Sequence, residues 1–438
     1  MNNSPFFVDL ITYPTDKLPV IEPTAVIVPD PAFVGAWTIA SDVNGDGQVE
    51  LVMARLWEKD DVHATATVSV CRLDGTVLWT WGNPGDGVAA LHSDAACQIY
   101  DWDRDGRQEV VIVTHTDVIM LDGATGAEKF RFSTPGHDAA DCIVFAHLSN
   151  GDGADIIIKN RYHKMWAYNW QGKQLWEIDS PAGMKTAHQP YILNIDNDGY
   201  DEIIAGYALL NHKGKIVWSL NSDALKIGQG HLDCARILQR NGDPEDWRLL
   251  FTCCSDDALL CLDGNGELVW EHRGLHFESI NIGHFIPGDD SKQIVVDIDH
   301  RTPGKSPQQI FNEKGKLLGE INSIYGRIHP LIKWDDLSTD QIVACEDRLL
   351  VSGATGEPLA RLVTPIPEGV KFEQQERALE HINRGAFHLL GHTGNIFGNS
   401  RQDLMLNTNP GGVIWLYENP GKTSQELPLG IGENVTLY

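Results

Sequence analysis

The chain has 438 residues, a formal net charge of −27, a pI near 4.9 and 42% hydrophobic residues. A surface that negative repels phosphate, so nucleic acid and anionic lipid are poor partners; no apolar run reaches the roughly 18 residues of a membrane span. The opening "MNNSPFFVDLITYP" lacks a basic start followed by an apolar run, so no signal peptide is visible; the chain reads as cytoplasmic, or as secreted with its leader already removed.

In chain order one unit keeps returning. An apolar segment leads into an acidic Gly turn, a β-branched strand, a short third strand, a second Gly turn and a Trp- or Leu-rich fourth strand. The acidic turns are "DVNGDGQVE" at 42–50, "DWDRDGRQE" at 101–109, "LSNGDGADI" at 148–156 and "NIDNDGYDE" at 194–202. The strands after them are "LVMAR", "VVIVTH", "IIIKNR" and "IIAGY". The second hairpins run from "CRLDGTVLWTW" through "AYNWQGKQLWEI" and "CLDGNGELVWEH" to "LVSGATGEPLARL". Eight inner hairpins can be counted, with second strands near residues 51, 110, 156, 203, 249, 294, 342 and 404.

Four antiparallel strands per unit, repeated along the whole chain, predict an all-β protein: one propeller of eight blades over 1–438, with seven as the alternative and almost no helix. The last unit, "DLMLNTNPGGVIWLYENP", lacks a clear fourth strand; "FFVDLITYP" or "ENVTLY" is expected to supply it and close the ring. The eight cysteines show no CxxC or zinc-finger spacing and read as small core residues, although adjacent Cys253 and Cys254 leave a vicinal disulfide open.

The acidic turns have the spacing of Ca²⁺ loops: alternate oxygen ligands converge when the loop curls around a Gly. Asp42, Asn44, Asp46 and Glu50 fit, as do Asp101, Asp103, Asp105 and Glu109, and Asn194, Asp196, Asp198 and Glu202. The plainer reading is an Asx-rich turn without metal. The 101–109 loop matches best, and any ion there is expected to staple a hairpin rather than to react.

In a propeller the residues just before the first strand and just after the second share the rim opposite those turns. Before the first strand come His92 and Asp94, His137 and Asp141, His188, His231 and Asp233, Glu278, Arg327 and His329. After the second come Arg55 and Trp57, His115, Arg161 and Tyr162, Tyr207, His300 and Arg301. A single His there is most simply a hairpin cap, but a set of His, Tyr, Arg and Asp on one face reads as a functional funnel. The chain has no P-loop, GxSxG elbow or HExxH. His and Tyr suit proton abstraction and donation, and Arg suits a carboxylate. Together they suit β-elimination from a 4-linked uronic acid, whose C5 proton lies next to a carboxylate.

The unit "HSDAACQIYDWDRDGRQEVVIVTH", with "GQGHLDCARI" and "ESINIGHF…QIVVDIDHR", resembles the β-propeller polysaccharide lyases: the rhamnogalacturonan, ulvan and rhamnose–glucuronate lyases. The likeness covers about residues 35–420. It implies cleavage of a rhamnose–(1→4)-uronic acid bond in an acidic rhamnose-containing polysaccharide; separately, the chain is expected to be a monomer. By length it favours the glucuronate-type substrates, ulvan or arabinogalactan side chains, over rhamnogalacturonan. It places His92, His115 and Tyr162 at the catalytic position, His92 as base or acid with Tyr162 as its partner. Arg55, Arg161, His188, Tyr207, His231, His300, Arg301 and His329 are then substrate-binding candidates around the rim. Two other readings stand beside it: a non-catalytic propeller that binds glycans or proteins, and a quinone-dependent dehydrogenase, whose tryptophan-docking strands "DGTVLWTW" resembles.

Overall fold

The computed structural model describes residues 4–57, 62–91, 94, 96–151, 153–298, 306–324, 329–372, 388–423 and 427–436. They form eight sheets, each built around three or four consecutive antiparallel strands running from the inside of a ring outward, so the expected eight blades are present. Among the described residues the only α-helix is Ser222–Leu225. Blades stack face to face, so their second strands are covered on both sides. Glu109–Val113, Asp155–Lys159 and Glu202–Gly206 are buried at every position, which is why they read as unbroken β-branched runs rather than alternating ones. The outer strands regain alternation, as Glu128–Ser133 does.

Ring closure differs from expectation. The fourth strand of blade eight is Ala25–Ile27, antiparallel to Ile414–Tyr417, immediately before blade one begins at Trp37. "FFVDLITYP" instead lays Phe6–Asp9 parallel to Leu317–Ser323 as a fifth strand of blade six, and Val20–Ile21 does the same beside Pro358–Leu362 in blade seven. Of the stretch "ENVTLY", the described residues 433–436 run across the inner strands. Val435 exchanges hydrogen bonds with the Gln98 side chain, and Asn434 brackets the Phe145 backbone through both ends of its amide. A cavity of about 440 Å³ remains beside this tail, lined by inner-strand residues such as Gln189, Asp233, Arg236 and Asn281.

Two repeated devices hold the ring. In blades one, three, four and five the Trp four residues after the outer Gly packs on the outer Gly of the next blade. A Cβ at Gly126 would lie 2.5 Å from the Trp79 ring, and Trp176 crowds Gly214, Trp218 crowds Gly266 and Trp270 crowds Gly315 in the same way. Each indole also donates its Nε1–H to a carbonyl of that turn: Trp79 to Gly123 at 2.8 Å, Trp176 to His212 at 3.0 Å, Trp218 to Gly264 at 2.9 Å. The second device closes the acidic turns. The last carboxylate of the turn accepts the backbone N–H seven residues earlier: Glu50 from Val43, Glu109 from Trp102, Asp155 from Leu148, Glu202 from Ile195 and Asp403 from Ile396. In blade seven Gln341 does the same for Trp334.

Candidate functional site

On the face opposite the acidic turns, the rims of blades one to five meet in a buried polar cluster. Asp141, before the first strand of blade three, is fully buried. Its Oδ1 lies 2.9 Å from His63 Nδ1 and its Oδ2 lies 3.3 Å from Lys159 Nζ. Lys159 ends the second strand of the same blade, and its ammonium also donates to the Arg161 carbonyl at 2.9 Å. The Arg161 guanidinium is shared, with Nη1 3.6 Å from both Asp94 and Asp141. Burial alone would raise the Asp141 pKa, but Lys159, His63 and Arg161 hold it well below the usual carboxylate range.

Blades four and five add two histidines. His188 Nδ1 lies 3.0 Å from Asp94 Oδ2, and its Nε2 lies 2.8 Å from His231 Nε2. Asp233 Oδ1 is 3.3 Å from His188 Nε2 and 3.1 Å from His231 Nε2. His231 sits where it does because Gly230 precedes it: a Cβ at 230 would stand 1.5 Å from the Cys254 carbonyl oxygen, so only glycine allows that approach. The two imidazoles are driven apart. Burial depresses both, but Asp94 and Asp233 overcome it and raise His188, while His231 ends below its ordinary value.

Tyr162 lies over this cluster, half-buried, with its ring centroid 4.5 Å from that of His231 and 5.7 Å from that of His188. Two cations face the same ring, Arg161 at 5.0 Å and Lys185 at 5.5 Å. In a chain of net charge −27, an Arg–Lys pair beside a phenol makes a local seat for a carboxylate.

Of the residues singled out from sequence, the fold brings together Arg161, Tyr162, His188 and His231, with Asp94, Asp141 and Asp233. His92, His300, Arg301 and Arg327 lie outside the described residues. His115 follows the second strand of blade two, its Nδ1 2.9 Å from the His137 carbonyl. Arg55 is buried with its guanidinium on the carbonyls of Asp86, Val34 and Gly87, where it ties loops together. Tyr207 is also buried; its hydroxyl donates to Asp256 at 2.7 Å and lies 3.0 Å from the His231 carbonyl, and burial pushes its pKa far up. His329 is buried as well. Cys253 and Cys254 are free thiols. Sequence reading missed His63, Lys159 and Lys185. Lys159 was hidden inside an apolar strand, and His63 follows the second strand of blade one by a longer connection than its counterparts.

In the acidic loops, Lys129 Nζ lies 2.8 Å from Asp103, 3.2 Å from Asp105 and 2.7 Å from Glu109. Asp42 is occupied by backbone N–H groups of Gly45 and Gly47, and Asn44 donates to Glu50 at 2.8 Å.

No protein-family model matches the chain. In sequence it is similar to two polysaccharide lyases of Bacillus subtilis (strain 168). It is 25% identical over 371 residues to rhamnogalacturonan endolyase YesW and 23% identical over 376 residues to rhamnogalacturonan exolyase YesX. Each match takes in 69% of this chain, but only 56% and 59% of those relatives, so the chain spans less than two thirds of their length. The fold agrees: the YesW crystal structure superposes with a TM-score of 0.56 at 18% identity, over 92% of this chain and 73% of that one. The Vibrio cholerae biofilm matrix protein Bap1 superposes with a TM-score of 0.60 at 12% identity, over 95% and 93%, which shows a shared fold and nothing of chemistry. The resemblance to β-propeller polysaccharide lyases therefore holds, and these two relatives are named for rhamnogalacturonan, the branch that chain length had disfavoured.

Proposed function

We propose that this chain is a polysaccharide lyase that cleaves a rhamnose–(1→4)-uronic acid bond in a rhamnogalacturonan-type polymer by β-elimination. The observation that carries the reading is Tyr162, held on the rim between the cations Arg161 and Lys185 and the pair His188–His231.

In this reading Arg161 and Lys185 take the uronate carboxylate and stabilise the charge that builds on it as C5 loses its proton. The electrons of the C5–H bond form the C4–C5 double bond, the C4–O bond breaks, and the leaving oxygen takes up a proton. Tyr162 handles one proton transfer at the substrate, and His92, two residues before Asp94, handles the other; His115 orients the sugar. The carboxylates of Asp94 and Asp141 hold Arg161 in place rather than touching substrate.

A hard cation such as Ca²⁺ belongs to the opposite face, as a hairpin staple. The first ligand positions suit it: Asp101 Oδ1 and Asn194 Oδ1 are buried oxygens that accept no hydrogen bond from the described residues. Asp198, Glu202 and His212 also converge in the 194–202 loop. In the 101–109 loop the Lys129 ammonium already lies on three of the four candidate oxygens.

The test is a spectrophotometric screen of the full chain on rhamnogalacturonan, ulvan and gum arabic. The expected result is ultraviolet absorbance from a new unsaturated uronate on rhamnogalacturonan. Polysaccharide binding with no such product would instead leave a non-catalytic glycan-binding propeller.

A further inference from the structure

His188 Nε2, His231 Nε2 and Asp233 Oδ1 form a triangle with edges of 2.8, 3.3 and 3.1 Å, buried between blades four and five. Three ligand atoms at about 2.0–2.1 Å from one Zn²⁺-like ion would be separated by roughly 2.9–3.4 Å, depending on octahedral or tetrahedral angles. The triangle is therefore already one face of a coordination polyhedron.

Proton counting points the same way. His188 Nδ1 faces the Asp94 carboxylate at 3.0 Å, so Nδ1 carries the hydrogen and a neutral His188 turns a lone pair toward the triangle. A proton on His231 Nε2 can serve only the two edges that meet at that atom. The remaining edge, His188 Nε2 to Asp233 Oδ1, then sets one lone pair against another. Either a second proton or a metal ion resolves it. The Asp94–His188 contact is the arrangement in which a carboxylate fixes the tautomer and orientation of a metal-bound imidazole. Asp233 offers more: its Oδ2 is buried and accepts no hydrogen bond from the described residues. Asp233 also lines the 440 Å³ cavity of the central channel, which gives an ion and its remaining water ligands a way in.

We propose that His188, His231 and Asp233 bind one divalent transition-metal ion of the Zn²⁺ class, with Asp94 as the positioning residue behind His188. The imidazole-rich donor set favours such an ion over Ca²⁺ or Mg²⁺. Bound there, it would fasten blades four and five at the mouth of the channel beneath Tyr162. Both imidazoles would then be engaged at Nε2, leaving Tyr162 as the proton carrier of this part of the rim; that last step rests on the lyase reading, whereas the metal site does not.

The experiment is a Co²⁺ titration of the chelator-stripped full chain, with Ca²⁺ in excess so that the oxygen-only loops are filled. One equivalent of Co²⁺ is expected to give visible ligand-field absorption that Zn²⁺ displaces. His231→Ala and Asp233→Asn should abolish it. Asp94→Asn should weaken binding about 10- to 100-fold, as loss of a carboxylate behind a ligating His does, and Cys254→Ser should leave it unchanged. Thermal melts of each variant separate lost binding from lost fold. No ligand-field absorption in the wild type would overturn the proposal in favour of a protonated His188 paired with Asp94 and Asp233. A thiolate charge-transfer band, lost in Cys254→Ser, would overturn it too, moving the ion to the adjacent group Asp233, Cys254 and His276. These readouts need no substrate, so a chain that binds Co²⁺ but cleaves no polysaccharide fails only the lyase reading.

Discussion

The ring of Phe6 stands where the side chain of residue 319 would be. A Cβ at Gly319 would lie 2.3 Å from Phe6 Cε1 and Cζ, and Phe6 also packs on Gly356 of the next blade. In "GELVWEH" Trp270 comes four residues after the outer Gly; in the equivalent "GKLLGEI" that place is Gly319. Blade six thus lacks its docking aromatic, and the N-terminal strand supplies one. Phe6→Ala should lower stability by about 2 kcal/mol, below the 3–5 typical of a fully buried Phe because Phe6 is only half-buried. Gly319→Trp should destabilise the wild type by overcrowding and recover stability in the Phe6→Ala background. Additive effects in this double-mutant cycle would show that the two sites do not share one space.

Two tyrosines of the sequence-derived set should behave in opposite ways. Tyr162→Phe keeps the ring on His231 but removes the phenol; kcat should fall by about 10²- to 10⁴-fold, the usual value of a general acid–base group, with little change in Tm. Tyr207→Phe removes a buried hydroxyl from the Asp256 carboxylate, an interaction of about 1.5–3 kcal/mol, and should lower Tm while the folded fraction keeps its kcat. Measuring kcat and Tm for both variants checks the assignment, and a normal kcat for Tyr162→Phe would remove Tyr162 from the chemistry.

The hairpin-closing acids predict a pH dependence of stability. Burial, aided by neighbouring carboxylates, pushes Glu50 and Glu202 up to about 7 from an ordinary value of 4.5. Between those values the folded chain holds protons that the unfolded chain has released. Stability from these groups is therefore full below the lower value and is lost as pH rises toward about 7. Glu50→Gln and Glu202→Gln keep an acceptor for the Val43 and Ile195 N–H groups, as Gln341 does for Trp334. Thermal melts from about pH 5 to pH 8 should show a fall in Tm that the double variant reduces. An unchanged fall would place its origin elsewhere.

Most of the fold was legible because it rests on local signals: Gly turns, β-branched second strands and, in four blades, a Trp four residues after the outer Gly. Ring closure was not, because Ala25–Ile27 is too short to announce itself, while the longer apolar "FFVDLITYP" serves an aromatic vacancy that appears only when blades six and seven are side by side. At the rim, position could be read but direction could not. Arg55 and Tyr207 hold rim places along the chain yet turn inward to carbonyls and Asp256, because a strand's neighbouring side chains face opposite ways. His63 and Lys159 join the site through Asp141, a partner in another blade for His63, which no local pattern encodes.

The 101–109 loop gives the last prediction. It is the best sequence match to a Ca²⁺ loop, but the Lys129 ammonium, from the outer strand Glu128–Ser133, sits on Asp103, Asp105 and Glu109. Burial works against that ammonium, yet the three carboxylates hold its pKa above the usual lysine range, so it is charged at neutral pH. Ammonium and Ca²⁺ would compete for the same oxygens. Lys129→Met removes the competitor and leaves three carboxylates facing one another, so Tm should fall in the presence of a chelator. Millimolar Ca²⁺, filling the vacated oxygens, should return most of that loss. In the wild type the Ca²⁺-dependent gain should come from the other loops instead, so Asp103→Asn should leave it unchanged. A wild-type gain from Ca²⁺ that disappears in Asp103→Asn would mean that the ion displaces Lys129 in the native protein, and that the lysine serves only when the ion is absent.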